Sequence, residues 1–168
     1  MTRSTLAADS LRMLPRVHIS IDDLQGAEII AFLEAHVAQL RSLSPPESSH
    51  ALDLAGLRAP DVRFWTAVDD DGEIVGCAAL KTLDDEHAEL KSMRTAAHRT
   101  RQGVATRLVA HVLEEARAKG FSKISLETGS EDFFAPARAL YARHAFDYCE
   151  PFADYQPDPL SVFMTRML

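Results

Sequence analysis

The sequence is poor in cysteine: two in 168 residues, Cys77 and Cys149. They stand far apart and outside any CxxC spacing, which excludes a disulfide framework and suits a reducing compartment. None of the seven histidines falls at HxxxH spacing or beside a cysteine at ligand spacing, so no metal site is expected. No apolar run approaches the roughly 20 residues that span a bilayer. Met1–Arg16 lacks a continuous apolar core and carries Asp9, a poor signal peptide. Excess basic charge is missing too: 18 Lys and Arg against 25 Asp and Glu leave a net charge of −7. That weighs against a general nucleic-acid binder, and solubility alone accounts for it. Repeats, linkers and low-complexity segments are also lacking. What remains is an ordinary apolar fraction, 46%, in a chain of one-domain length. The expectation is a cytoplasmic protein without metal, membrane or nucleic-acid partner. Residues 1–15 read as a flexible N-terminal tail, or the product of an early start codon, ahead of a domain over 16–168.

One further absence is local. From Ser92 to Leu113 there is no Asp or Glu, and within that stretch "HRTRQGVATRL" sets Arg99, Arg101 and Arg107 around Gly103.

Hydrophobic periodicity places this stretch. Val17, Ile19 and Ile21 alternate as a half-buried strand. Asp22 with Gln25 reads as a capping box opening a helix that carries Ile29, Ile30, Leu33, Val37 and Leu40. "SLSPPESSH" is a proline loop, and Ala51–Leu57 a short second helix. "VRFWTAV" and "EIVGCAALKTL", joined through Asp71-Gly72, read as a hairpin, with "AELKSMRT" as a third antiparallel strand. "DDDG" lacks the spaced ligands of a calcium loop and reads as a solvated turn.

Val104, Leu108, Val109, Val112, Leu113 and Ala116 then form a helical stripe closed by Gly120. "SKISLETG" is a strand. Asp132 or Glu131 caps a helix with Pro136 in its early turns, ending near Phe146. "PFADYQPDPL" is a loop and "SVFMTRML" a last strand. The strand–helix–strand unit requires a crossover, so the sheet is mixed.

The Arg/Gly stretch therefore lies between a strand and a helix start. Unpaired N–H groups and the helix dipole favour an anion there, a glycine admits it to the backbone, and arginines add charge-assisted bonds. A polyphosphate fits better than a long nucleic acid. The bland alternative is a solvated basic helix start.

In that context, Thr100, Arg101, Gln102, Gly103, Val104 and Ala105 resemble the Q/R-x-x-G-x-G/A acyl-coenzyme A loop of the GNAT N-acetyltransferase superfamily. Thr100 stands where Gln or Arg is usual. "LYARHAF" resembles the family's L-Y-x-x-x-G-F element, with Ala145 for the usual glycine, and Phe134 occupies a place where Asn is common. The order of elements agrees from Val17 to the C-terminus.

The resemblance implies a single α/β (α+β) domain, its mixed, mostly antiparallel twisted sheet of about six to seven strands flanked by about four helices. It implies acetyl transfer from acetyl-CoA to the primary amine of a small or amino-acid-like acceptor, by direct attack in a ternary complex. Tyr141 would protonate the departing thiolate, and Glu89 would take the amine proton. The backbone of Met93 and Thr95 would pair with the pantetheine arm. The amides of Arg101, Gln102, Gly103, Val104, Ala105 and Thr106 would hold the pyrophosphate.

Alternatives stay open on the residues themselves. Glu89 shares a strand face with Lys91 and could be an exposed charge pair, Glu127 is the rival base, and water alone could serve. Tyr141 could be a core tyrosine, Cys149 a small buried residue, Trp65 core. Asp154 and Tyr155 stand on a lip over the acceptor pocket or on a plain turn. A non-catalytic acyl-CoA-binding module is the competing function. A homodimer is compatible with the sequence.

Overall fold

The computed structural model describes residues 16–43 and 53–168. Seven strands form one sheet: β1 (Val17–Ile21), β2 (Val62–Asp69), β3 (Ile74–Thr82), β4 (His87–Thr95), β5 (Lys123–Gly129), β6 (Asp147–Cys149) and β7 (Ser161–Met167). Their spatial order is β1-β2-β3-β4-β5-β7-β6, antiparallel at every pairing except β4 with β5. Four helices flank it: α1 (Ala27–Leu43), α2 (Leu54–Leu57), α3 (Val104–Ala118) and α4 (Ala135–Arg143). This is the expected architecture. The expected tail, and the proline loop from residue 44 onward, lie outside the described residues.

The sheet's two faces carry separate cores. On one, Ile29 and Leu33 of α1 and Leu57 meet Phe64, Cys77 and Ala79. On the other, the apolar stripe of α3 is wholly buried against Ala78, Leu80, Ala88 and Leu90, with Leu140 and Tyr141 of α4 beside it. Gly76 sets the fit of α3. A Cβ there would lie 2.8 Å from the Arg94 carbonyl, 2.8 Å from Leu108 and 2.9 Å from Val104. A bare backbone at that point lets the first turns of the helix rest directly on β3. Gly120, at φ +88°, closes α3 as expected, with Phe121 N–H bonded to the Ala116 carbonyl at 3.1 Å.

Several local expectations need correction. Asp22 does not cap α1. Its Oδ1 accepts from Leu24 N–H at 2.7 Å in a tight turn, its own N–H stays bonded to Phe64 of the sheet, and the helix starts at Ala27. The β2–β3 connection has Asp69 N–H bonded to the Glu73 carbonyl, so three residues form the loop and only Gly72 takes positive φ. Neither Glu131 nor Asp132 caps α4, which follows a short 3-10 turn, Asp132–Phe134. That helix ends at Arg143, with Ala145 in the left-handed conformation at φ +61°. A three-residue β6 then pairs with β7, too short to show a period-2 pattern in the sequence.

The feature that positions the site is a split. β4 and β5 pair only through His87↔Lys123, Ala88↔Ile124 and Glu89↔Ser125. Beyond Glu89 the strands diverge, while β5 stays paired to β7 as far as Gly129. The β3–β4 register slips between Cys77 and Ala79, where Ser92 bulges at φ +53° and its carbonyl accepts from the Cys77 thiol at 3.2 Å.

Gly76→Ala is expected to lower unfolding free energy by about 1–3 kcal/mol, since backbone and two core side chains must move aside. Urea titration checks this, and an unchanged midpoint would mean that α3 does not need the close approach.

Candidate active site

The loop after β4 delivers α3 to the mouth of the split. Arg101 at φ +61° and Gly103 at φ +81° bend the chain so that α3 begins without any side-chain cap. The first bond into the helix is Arg107 N–H to the Gly103 carbonyl at 3.1 Å. The amides of Val104, Ala105 and Thr106 precede it and have no acceptor within the helix. This donor set, at the positive end of the dipole, suits an anion.

The side chains of the loop are mostly structural. Thr100 Oγ1 donates to the Ala97 carbonyl at 3.3 Å, and Gln102 Nε2 to the His98 carbonyl at 3.4 Å. Arg99 pairs with the buried Asp69 carboxylate, which also accepts from the N–H groups of Asp71 and Glu73. His98 meets Glu73 at 2.8 Å. Of the three arginines, Arg99 is therefore a latch to the β2–β3 turn, while Arg101 is exposed at the loop's crest. The resemblance to the Q/R-x-x-G pattern survives in the backbone. Thr100, the position that departs from it, points its hydroxyl back into the loop.

The opposite face of the split carries carboxylates. Glu89 is 3% exposed, not a surface acid. Its Oε1 accepts from Tyr155 Oη at 2.5 Å and from Lys91 Nζ at 3.1 Å, and Lys91 Nζ also donates to Tyr155 Oη at 2.8 Å. The charge pair read from the sequence is present, but buried and capped by a tyrosine. Glu127 lies on β5 two residues past the last β4–β5 pair, at the level of Lys91 across the gap. Burial pushes its carboxyl up to about 7, with the charge of Lys91 pulling the other way.

Tyr141 approaches from the α4 side. It is buried with its ring against Phe146 at 5.8 Å, and burial, then the charge of Glu127, raises its phenol above the usual range. Met93 packs toward the α3 core, and beyond Glu89 β5 leaves that edge of β4 unpaired.

A cleft of about 420 Å³ opens on the carboxylate face, lined by Lys81, Glu89 and Lys91 of the sheet and by residues 153–158. Asp154 and Tyr155, for which the sequence left a lip and a plain turn both open, line this cleft. Sequence reasoning missed a polar row under it: His87 Nε2 to Ser125 Oγ at 2.7 Å, and Ser125 Oγ to Thr165 Oγ1 at 2.9 Å. No short motif marks that row, because its members come from three strands. Cys149 is half-buried and Trp65 is core. Among the described residues no cluster of His, Cys, Asp or Glu could hold a metal, and no helix is long and apolar enough to cross a membrane.

The family described as "Acetyltransferase (GNAT) family" matches residues 26–146, which contain the split, the uncapped helix and Tyr141. The chain belongs to the GNAT acetyltransferase family. A Bacillus subtilis (strain 168) protein, the uncharacterized N-acetyltransferase YsnE, is 51% identical over 152 residues, 90% of this chain and 100% of that one. A solved structure of a putative acyl-CoA N-acyltransferase from Klebsiella pneumoniae is 30% identical. It superposes with a TM-score of 0.74 over 90% of this chain and 97% of that one. GNAT acetyltransferases use acetyl-CoA. One from Elizabethkingia anophelis, solved with acetyl-CoA bound, shares this GNAT chain's fold at a TM-score of 0.64 and 19% identity, covering 90% of this chain and 98% of its own.

Arg99→Ala is expected to cost about 2 kcal/mol in chemical denaturation, because the buried Asp69 carboxylate loses its cationic partner and keeps only two backbone N–H donors. Arg101→Ala, at an exposed position, is expected to stay within about 0.5 kcal/mol. Equal costs would mean that the latch is not what holds the loop.

Proposed function

We propose that this GNAT protein transfers the acetyl group of acetyl-CoA to the primary amine of a small or amino-acid-like acceptor, by direct attack in a ternary complex. The observation that carries the reading is the placement of two proton-handling groups, Glu127 and Tyr141, about one split in the sheet, with an uncapped helix N-terminus at its mouth.

The amides of Arg101, Gln102, Gly103, Val104, Ala105 and Thr106 hold the pyrophosphate. Left-handed Arg101 and Gly103 turn the loop so that it can approach closely. The unpaired edge of β4 at Met93 and Thr95 receives the pantetheine arm as an added strand. The amine enters by the cleft beneath residues 153–158.

An alkylammonium is unreactive until it loses its proton, so a base near neutrality is required. Glu127 is the better candidate for that base, because half its population is already ionised at a pH of about 7. Glu89 is engaged by Lys91 and Tyr155, and serves as a fixed neighbour of the base. Tyr141, kept protonated at neutral pH by burial, hands its hydrogen to the departing thiolate. Neither cysteine takes part. Burial raises the Cys77 thiol to about 12, which keeps it a thiol.

Incubation with acetyl-CoA and a panel of primary amines, amino acids included, is expected to release free thiol. Coenzyme-dependent stabilisation without release on any amine would instead indicate a binding module. Gly103→Asp is expected to abolish coenzyme binding in calorimetry, because the side chain strains the left-handed turn and sets a carboxylate against the anion. Retained affinity would sink the loop assignment. Tyr141→Phe should lower kcat and spare coenzyme affinity; an unchanged kcat makes Tyr141 packing alone.

With both substrates saturating, kcat should rise with pH through about 7, as Glu127 loses its proton, and then level off. Glu127→Gln should remove that limb and lower kcat by about 100-fold or more. A limb that persists in the variant assigns it to another group.

A further inference from the structure

Between β6 and β7 the chain crosses the split as a strap, residues 150–160, without regular secondary structure. Its far end is anchored on the loop after β5: Ser130 Oγ donates to the Pro159 carbonyl at 2.7 Å and Ser130 N–H to the Leu160 carbonyl at 3.1 Å. Its middle is held by Tyr155, in two directions at once. The ring packs on the β7 side, 5.4 Å from Phe163 and 5.1 Å from Phe152. The hydroxyl reaches β4, to Glu89 at 2.5 Å and Lys91 at 2.8 Å, 66 and 64 positions away in the chain. One side chain thus spans both halves of the divided sheet at the closed end of the split.

We propose that Tyr155 is a positioning residue: it ties the β4 half to the β5–β7 half, sets Lys91 against Glu127, and holds the strap as the wall of the acceptor cleft. This rests on the reading that the amine enters by that cleft.

Three features support the tie. First, β4 and β5 have no ladder beyond Glu89, so backbone pairing does not fix their separation at the level of Lys91 and Glu127. Second, the hydroxyl acts as donor to the carboxylate and acceptor from the ammonium, so it orders the pair rather than either member alone. Burial, and then the adjacent Glu89 charge, keep the phenol protonated, as a donor to a carboxylate must be. Third, the strap supplies six of the residues that line the cleft, Ala153 to Asp158, and from among them Tyr155 reaches the buried Glu89.

Tyr155→Phe keeps the ring and deletes the tie. With an amine from the panel that the wild-type protein acetylates, the variant is expected to lose about tenfold in kcat and to raise the acceptor KM, while the acetyl-CoA KM stays within about twofold. Lys91→Met attacks the same tie from the sheet and should give the same split of effects. The double variant should lose little more than the worse single one, because one unit is being broken. A mere packing role would lower the melting temperature and leave the two KM values moving together, which overturns the proposal. So would single variants with wild-type kinetics, or losses that multiply in the double variant. Should the wild-type chain acetylate no amine, the reading of function fails and this inference with it; turnover in the wild type with unaltered variants fails this inference alone.

Discussion

Three residues of parallel ladder between β4 and β5, and no more, is the constraint on which the remaining structure depends. Parallel pairing keeps the two halves in register at Glu89. The bulge at Ser92, braced by the Cys77 thiol, then turns β4 away. Every group with a claim on chemistry is set by that departure. Glu127 lies two residues beyond the last pair, Lys91 opposite it, the free edge of β4 above, and the start of α3 at the mouth. A continuous sheet would bury the same side chains in a ladder and leave no opening between its faces.

Opening a sheet removes hydrogen bonds and packing, and the molecule replaces them locally. Gly76 lets α3 lie directly against β3 beside the split, so the helix adds packing where β4 has lost its pairing to β5 and keeps only β3. Gly129 does the same for the other half: a Cβ would come within 2.1 Å of the Phe134 ring, which rests on the bare backbone at the end of β5. On the opposite face the Glu89–Lys91–Tyr155 group closes the bottom of the gap with charge-assisted bonds.

Periodicity made most of this fold legible. The stripe of α3, the β2–β3 hairpin and the order of strands and helices all follow from apolar spacing, and the glycine loop could be placed because it falls between two such elements. What could not be read depends on contacts between distant residues. Asp22 looks like a helix cap until Phe64 draws its backbone into the sheet. Glu89 looks like a surface partner of Lys91 until Tyr155, 66 positions later, covers both. Arg99 reads as one of three equivalent arginines, and only the fold sets it on Asp69. Ala145 carries a left-handed turn where the pattern wants glycine, because Phe146 must return its N–H to Tyr141.

The latch between Arg99 and Asp69 has a consequence for how the loop meets a ligand. Its two carboxylate partners, Asp69 and Glu73, flank the turn that joins β2 to β3, so the loop is fastened to a hairpin of the sheet. The loop is therefore ordered by folding, not by the arrival of an anion. Freedom already surrendered when the chain folds is not surrendered again on association, so a rigid cradle binds more tightly than the same amides in a mobile segment. On the proposed reading of the loop, Arg99 strengthens capture of the anion through the order it imposes, while its own guanidinium is spent on Asp69.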